Sequence, residues 1–275
     1  MCESLRSRRE TIDGEEQGAH VIELRTPTEI DEMRPAGAFV ASVLVALRTV
    51  AAVGVNLLAL DRMAAEMIRK AGAVSTYVDY HPSFGAMPFG KVLCTSVNDA
   101  ALHGLPFDYK LKDGDLLSVD FAASLNGWVA DSALSVIVGT HNAHDQHLID
   151  TTELALAAAI EAAQPGGRMG DVSAAIGEIC HAAGYSINTD FGGHGVGHTM
   201  HGDPHVPNDG RPGRGVPLRA GLVFAIEPWL MQTTDKIFTD PDGWTLRSMD
   251  GSRAAHSEHT IAIMEDGPVV LTARA

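Results

Sequence analysis

Two aspartates, Asp120 and Asp131, flank an Asn126-Gly127 pair inside the largely apolar stretch 114–139, GDLLSVDFAASLNGWVADSALSVIVG. Asn-Gly between two apolar runs signals a two-residue hairpin turn, because both turn positions need the left-handed backbone that Asn and Gly tolerate. Such a turn pairs Leu125 with Trp128, and therefore Asp120 with Ala133 and Ala122 with Asp131. Side-chain alternation then puts both acids on one face as diagonal neighbours, roughly 7–8 Å apart at the backbone. Aspartate is depleted in strands, and two carboxylates on one face repel each other unless a cation lies between them. A face open to water would also tolerate the pair. The small apolar companions Ala122 and Ala133 speak for a covered site instead.

Other residues could join such a site. The run 192–201, GGHGVGHTMH, offers His194 and His201 among glycines, which would let the backbone come close to whatever His194 binds. A mobile loop could have the same composition. Glu227 follows the apolar run 221–226, GLVFAI, and precedes Pro228. At the end of a buried strand a glutamate must be paired or metal-bound, whereas at an open strand end it would point to solvent. Glu258, in the stretch 256–263, HSEHTIAI, alternates with Thr260 and Ala262, opposite Ile261 and Ile263. The polar face of an edge strand would look alike. His103, in the stretch 101–106, ALHGLP, sits just before a turn, where a lone histidine commonly serves as a structural hydrogen bonder.

The elements that must hold these residues come as two helical hairpins separated by strands. Residues 1–25 are polar and mixed in charge, and read as an N-terminal arm ahead of a single domain, 26–275. Thr28 is positioned to cap a helix through Ile30, Met33, Phe39, Val43 and Leu47 that ends near Gly54. A second helix is expected from Leu60 to Lys70, stopped by Ala71-Gly72. A third is expected over 145–163, and a fourth from Asp171 to Ala183-Gly184. The repeated order of long helix, glycine-containing turn, Asp (Asp61, Asp171), shorter helix and Ala-Gly stop suggests an internal duplication with the site between the halves. Unrelated helical hairpins can share that order.

Composition bounds the rest. The chain has 275 residues, 45% of them hydrophobic, and a formal charge of −15. That charge disfavours direct nucleic-acid binding, which needs a basic stripe. No run of about 18 apolar residues marks a membrane span, and the first 25 residues lack the apolar stretch of a secretory signal. Cys2, Cys94 and Cys180 stand far apart, which suits a reducing, cytoplasmic setting and gives no thiolate zinc site.

Taken in order, His103, Asp120, Asp131, His194, His201, Glu227 and Glu258 with their local motifs resemble the methionine aminopeptidases, over about residues 26–270. The short step from His201 to Glu227 leaves no room for the large insertion of the second class, so the resemblance is to the first. It implies the pita-bread fold, an α+β arrangement of two pseudo-symmetric αβ halves around a curved, mainly antiparallel sheet. It also implies two divalent ions (Mn²⁺, Fe²⁺, Co²⁺ or Zn²⁺), with Asp131 and Glu258 bridging them. Asp120 would complete the first ion's ligands, and His194 and Glu227 the second's. Glu227 would take a proton from the attacking water, His201 would steady the oxyanion and His103 would contact the scissile nitrogen. The methionine pocket would include Cys94, Trp244 and Met200, the last standing where the family commonly has Phe. Phe84 and Phe89, in the divergent stretch 82–90, PSFGAMPFG, are candidate wall residues. Methionine selectivity is expected to persist, with altered tolerance for the second residue or for inhibitors. The implied partners are nascent polypeptide N-termini and the ribosome, with no nucleic acid or membrane, and the chain is expected to be a monomer. Two other readings share the fold. Proline-directed relatives such as aminopeptidase P or prolidase carry a substantial N-terminal domain, and non-catalytic pita-bread binding proteins typically lose metal ligands.

Overall fold

The hairpin between Leu116–Leu125 and Trp128–Ile137 is the spine of the main sheet, and its register is the one the Asn126-Gly127 turn dictates. Leu125 pairs Trp128, Asp120 pairs Ala133 and Ala122 pairs Asp131. Both turn residues are left-handed, with φ of 54° and 84°. The structure is a computed structural model that describes residues 8–11, 21–82 and 87–274. Phe84, Cys2 and most of the expected N-terminal arm lie outside the described residues. Within that arm Arg8–Thr11 pairs antiparallel with Val21–Leu24, and Ile22 is already buried in the core.

Around the hairpin a nine-stranded sheet runs in the order Gly202–Val206, Gly193–Gly195, Val223–Ile226, Glu258–Met264, Trp128–Ile137, Leu116–Leu125 and Val74–Ser75. Cys94–Val97 also pairs with Leu116–Leu125, and Gly267–Val270 with Glu258–Met264. Every one of these pairings is antiparallel. The Glu258 strand therefore lies inside the sheet. The water-facing edge that its sequence also allowed is excluded, and Glu258 is 2% exposed.

Period-two burial divides the apolar residues between two cores. Along Val223–Ile226, Val223 and Ala225 join one cluster while Phe224 and Ile226 join the other. Ala262 and its neighbours Ile261 and Ile263 divide the same way. The first cluster holds helices α1 (Pro27–Val50) and α2 (Leu57–Ala71). The second holds α3 (Ala143–Ala162) and α4 (Met169–Ala183). α1 has the length and apolarity of a membrane span, yet it buries Met33, Val40, Leu44 and Leu47 as a core helix.

The helices begin earlier than periodicity alone suggests, because capping chemistry sets their starts. Thr26, not Thr28, caps α1. Its hydroxyl accepts from Glu29 N–H at 3.2 Å, Glu29 accepts Thr26 N–H at 2.7 Å, and Pro27 fills the first turn. Asn56 caps α2 ahead of the expected Leu60, so Asp61 lies inside the helix and accepts Val92 N–H at 2.9 Å. Asn142 caps α3. α4 starts at Met169, and Asp171 is its third residue, accepting Arg168 N–H at 2.7 Å. Asp61 and Asp171 thus do different jobs, and the duplication reading loses them as matched anchors. The two stops do match: α2 and α4 both close on left-handed glycines, Gly72 and Gly184.

Candidate metal centre and active site

The sheet register lines up the site. Cys94 pairs Asp120, Asp120 pairs Ala133, and Ala133 pairs Glu258, so these residues form one row across four strands. Ala133 keeps the row open, because its methyl leaves room between the two acids. Asp131 lies one diagonal step away, held by Thr260, whose hydroxyl accepts Asp131 N–H at 2.9 Å and donates to its carbonyl at 2.8 Å. Ser132 Oγ donates to the Glu258 carbonyl at 2.6 Å, tying the strands of the two acids together. Glu227 follows the Val223–Ile226 strand, and Asn208 Nδ2 donates to its carbonyl at 3.0 Å.

His194 is carried by the short strand Gly193–Gly195, squeezed between two others. A Cβ at Gly193 would lie 2.1 Å from the Ala225 carbonyl oxygen, and one at Gly195 would lie 2.0 Å from that of Asp203. These glycines thus serve strand-to-strand approach. The His194 Nδ1 contacts the Gly195 carbonyl at 3.2 Å, and Nε2 lies 3.6 Å from Glu227 Oε1 and 3.8 Å from Asp131 Oδ2.

One cavity of about 240 Å³ is lined by eleven of the residues singled out in the sequence: Asp120, Asp131, His194, Glu227 and Glu258, with His103, His201, Cys94, Met200, Trp244 and Phe89. Asp131, His194 and Glu258 offer donor atoms all within 4.8 Å of one another, the spacing of a metal cage. Asp131, Glu227 and Glu258 are all below 9% exposed.

Burial and mutual repulsion favour the protonated forms of these acids. Burial raises the pKa of Asp120 to about 6 and that of Glu227 to about 8, with the Asp120 charge adding to the second. Burial and the neighbouring carboxylates push Asp131 and Glu258 well above the carboxylate range. Glu258 Oε1 is buried without a hydrogen-bond partner. Buried charge of this density is costly unless it is paired or coordinates metal. A hard, oxygen-rich donor set of four carboxylates and one imidazole fits divalent cations such as Mn²⁺, Fe²⁺ or Co²⁺.

The rim supplies histidines and aromatic rings. His103 has φ 55° and follows the strand Ala100–Leu102. A Cβ on the next residue, Gly104, would lie 2.2 Å from the Thr95 carbonyl oxygen. Burial, then the nearby His201, lower the His103 pKa to about 4, so the ring is neutral at pH 7. The His201 ring lies 4.3 Å from that of His194 and 5.0 Å from that of Tyr80. Trp244 Nε1 donates to the Met87 carbonyl at 3.1 Å, and Phe89 stands edge-on to Trp244 at 5.2 Å. Cys94 keeps its proton, because burial and the nearby acids push its thiol well up.

Sequence reasoning missed Tyr77, Tyr80 and His256. Tyr77 Oη donates to Asp120 Oδ1 at 2.7 Å and Tyr80 faces the cavity, but both precede the divergent stretch 82–90, where spacing gives no guide. His256 had a usable signal, since it stands two residues before Glu258.

A family model described as metallopeptidase family M24 matches residues 31–265. The chain belongs to metallopeptidase family M24. It is 41% identical over 263 residues to methionine aminopeptidase 1 of Mycobacterium tuberculosis, covering 93% of this chain and 97% of that one. With the methionine aminopeptidase of Aquifex aeolicus it shares 42% identity, covering 91% and 98%. The crystal structure of the Thermotoga maritima methionine aminopeptidase superimposes with a TM-score of 0.86 at 38% identity, covering 92% of this chain and all of that one. The prolidase of Pyrococcus furiosus superimposes at 0.71 with 21% identity over 66% of its length, a likeness of fold alone. The expected pita-bread fold, with its curved antiparallel sheet and helices, is the fold found.

Proposed function

We propose that this chain removes N-terminal methionine from nascent proteins by hydrolysis assisted by two divalent ions. The observation that carries this reading is the convergence of three buried carboxylates, the half-buried Asp120 and His194 on one cavity beside an apolar, sulfur- and ring-lined wall. Methionine aminopeptidases match the chain over nearly their whole lengths, which supports the same substrate.

Bound between these residues, the cations would supply Lewis-acid activation of a water and a seat for the substrate's free α-amino group. Asp131 and Glu258 would serve both ions, Asp120 the first, and His194 with Glu227 the second. The Glu227 carboxylate takes the proton of the attacking water. The neutral His201 ring gives a hydrogen bond to the oxygen that becomes negative as the carbonyl is attacked. His103, also neutral, faces the scissile nitrogen and stabilises the departing amine. Phe89, Met200, Trp244 and Cys94 hold the methionine side chain, whose thioether packs well against rings and soft sulfur. The enzyme works as a cytoplasmic monomer that meets its substrates at the ribosome.

A peptide panel tests the assignment. Protein stripped by chelator and reloaded with Mn²⁺ or Co²⁺ is expected to cleave Met-Ala-Ser and to leave X-Pro peptides untouched. Cleavage of X-Pro peptides would move it to the proline-directed relatives, and no turnover with any cation would favour a binding protein.

A further inference from the structure

His256 ends the strand Ala254–His256 and is 2% exposed. Its backbone is fixed on both sides by Ser135, which accepts His256 N–H at 2.9 Å and donates to its carbonyl at 2.8 Å. Its ring nitrogen Nε2 is buried without a hydrogen-bond partner. That atom lies 3.9 Å from Glu227 Oε2 and 3.9 Å from Glu258 Oε2. An unpaired polar atom in a buried setting costs free energy, so its presence between two acids calls for a task.

A neutral imidazole has one N–H to give, and Nε2 is the ring atom that lies nearest the two acids. Ionised carboxylates accept and never donate, which keeps that proton on Nε2 once the acids are charged. The three residues whose donor atoms cluster within 4.8 Å are Asp131, His194 and Glu258, without His256, which argues for an outer place.

We infer that His256 is a positioning residue of the metal centre, its single Nε2–H shared between the carboxylates of Glu227 and Glu258. The inference rests on the metallopeptidase reading above. The bond fixes the orientation of the proton-accepting Glu227 and of the bridging Glu258. It also gives the orphaned Nε2 of His256 a partner. Ligating carboxylates generally need such outer partners, and losing one typically costs 10–100-fold in metal affinity.

Chelator-stripped wild type, His256→Leu and His256→Gln are titrated with Co²⁺ by calorimetry, with thermal melting of the cation-free proteins as the fold control. His256→Leu is expected to bind Co²⁺ about 10- to 100-fold more weakly, while melting no lower than wild type without cation. His256→Gln keeps an amide donor and is expected to recover most of the affinity. Wild-type affinity in His256→Leu, with an unchanged Co²⁺ absorption spectrum, overturns the inference. If His256→Leu does not fold, nitrogen NMR of the unmutated, Zn²⁺-loaded protein decides. An exchange-protected Nε2–H on His256 supports the role, and an unprotonated Nε2 overturns it. Failure of the unmutated protein to bind cation would overturn the metallopeptidase reading and this inference together, a signature distinct from a defect confined to the variants.

Discussion

Asp131 and His103 would separate the two tasks of the proposed site, holding cations and handling the peptide bond. Asp131 sits within donor distance of both His194 and Glu258, so Asp131→Ala is expected to lose bound metal together with activity. Metal analysis of the purified variant checks this, and retained stoichiometry contradicts a bridging role. His103→Ala is expected to keep its metal and lose turnover by about 100- to 10,000-fold, the range for removing a positioned proton donor. Full activity in that variant removes His103 from the mechanism. The acids were legible in the sequence because a strand charges a high cost for carboxylates on a covered face, and the Asn126-Gly127 turn fixed their register. The outer partners were harder to see. The Tyr77 contact with Asp120 joins positions 43 residues apart and has no local pattern. His256 stands two residues before Glu258, on the same strand face by alternation, and that signal went unused.

Close backbone approach sets the site's elements more tightly than helix or strand propensity does. Gly104 has room for no side chain against the Thr95 carbonyl, and it follows the left-handed His103. Gly104→Ala is expected to cost on the order of 2 kcal/mol by forcing backbone apart, and to displace His103. Denaturant unfolding and peptide turnover on the same preparation check both effects; unchanged values in each contradict the tight fit. The capping box of Thr26 makes a milder prediction, a loss of about 1 kcal/mol in Thr26→Ala with activity retained. Helix stops were readable from Ala71-Gly72 and Ala183-Gly184, since left-handed glycine is a local requirement. Helix starts were less so. Thr26, Asn56 and Asn142 compete with other polar residues nearby, and only the hydrogen bonds made in the fold choose among them.

The whole molecule keeps four acids and several imidazoles away from water, so its stability without cation must depend on pH. His194 is lowered from 6.5 to about 3, and its neutral form belongs to the fold. The stability it contributes is complete above pH 6.5 and lost as pH falls towards 3. Glu227 is raised from 4.5 to about 8, with Asp131 and Glu258 shifted the same way. The stability that Glu227 contributes is complete below pH 4.5 and lost as pH rises through 8. The cation-free protein is therefore expected to melt at lower temperature as pH rises from about 6.5 to 9, and saturating Mn²⁺ is expected to remove that loss by taking the place of the protons. Melting curves with and without Mn²⁺ across that range check it, and a cation-free protein that gains stability there contradicts it. At this scale the pita-bread architecture was accessible through seven ordered residues, while the burial of α1 as a core helix came only from the packing. The most direct measurement is anomalous diffraction at the manganese edge from a crystal grown with Mn²⁺. The account predicts two peaks inside the cavity, each touching carboxylates of Asp131 and Glu258, one completed by Asp120 and the other by His194 and Glu227. An empty cavity, or peaks held by other residues, would contradict it.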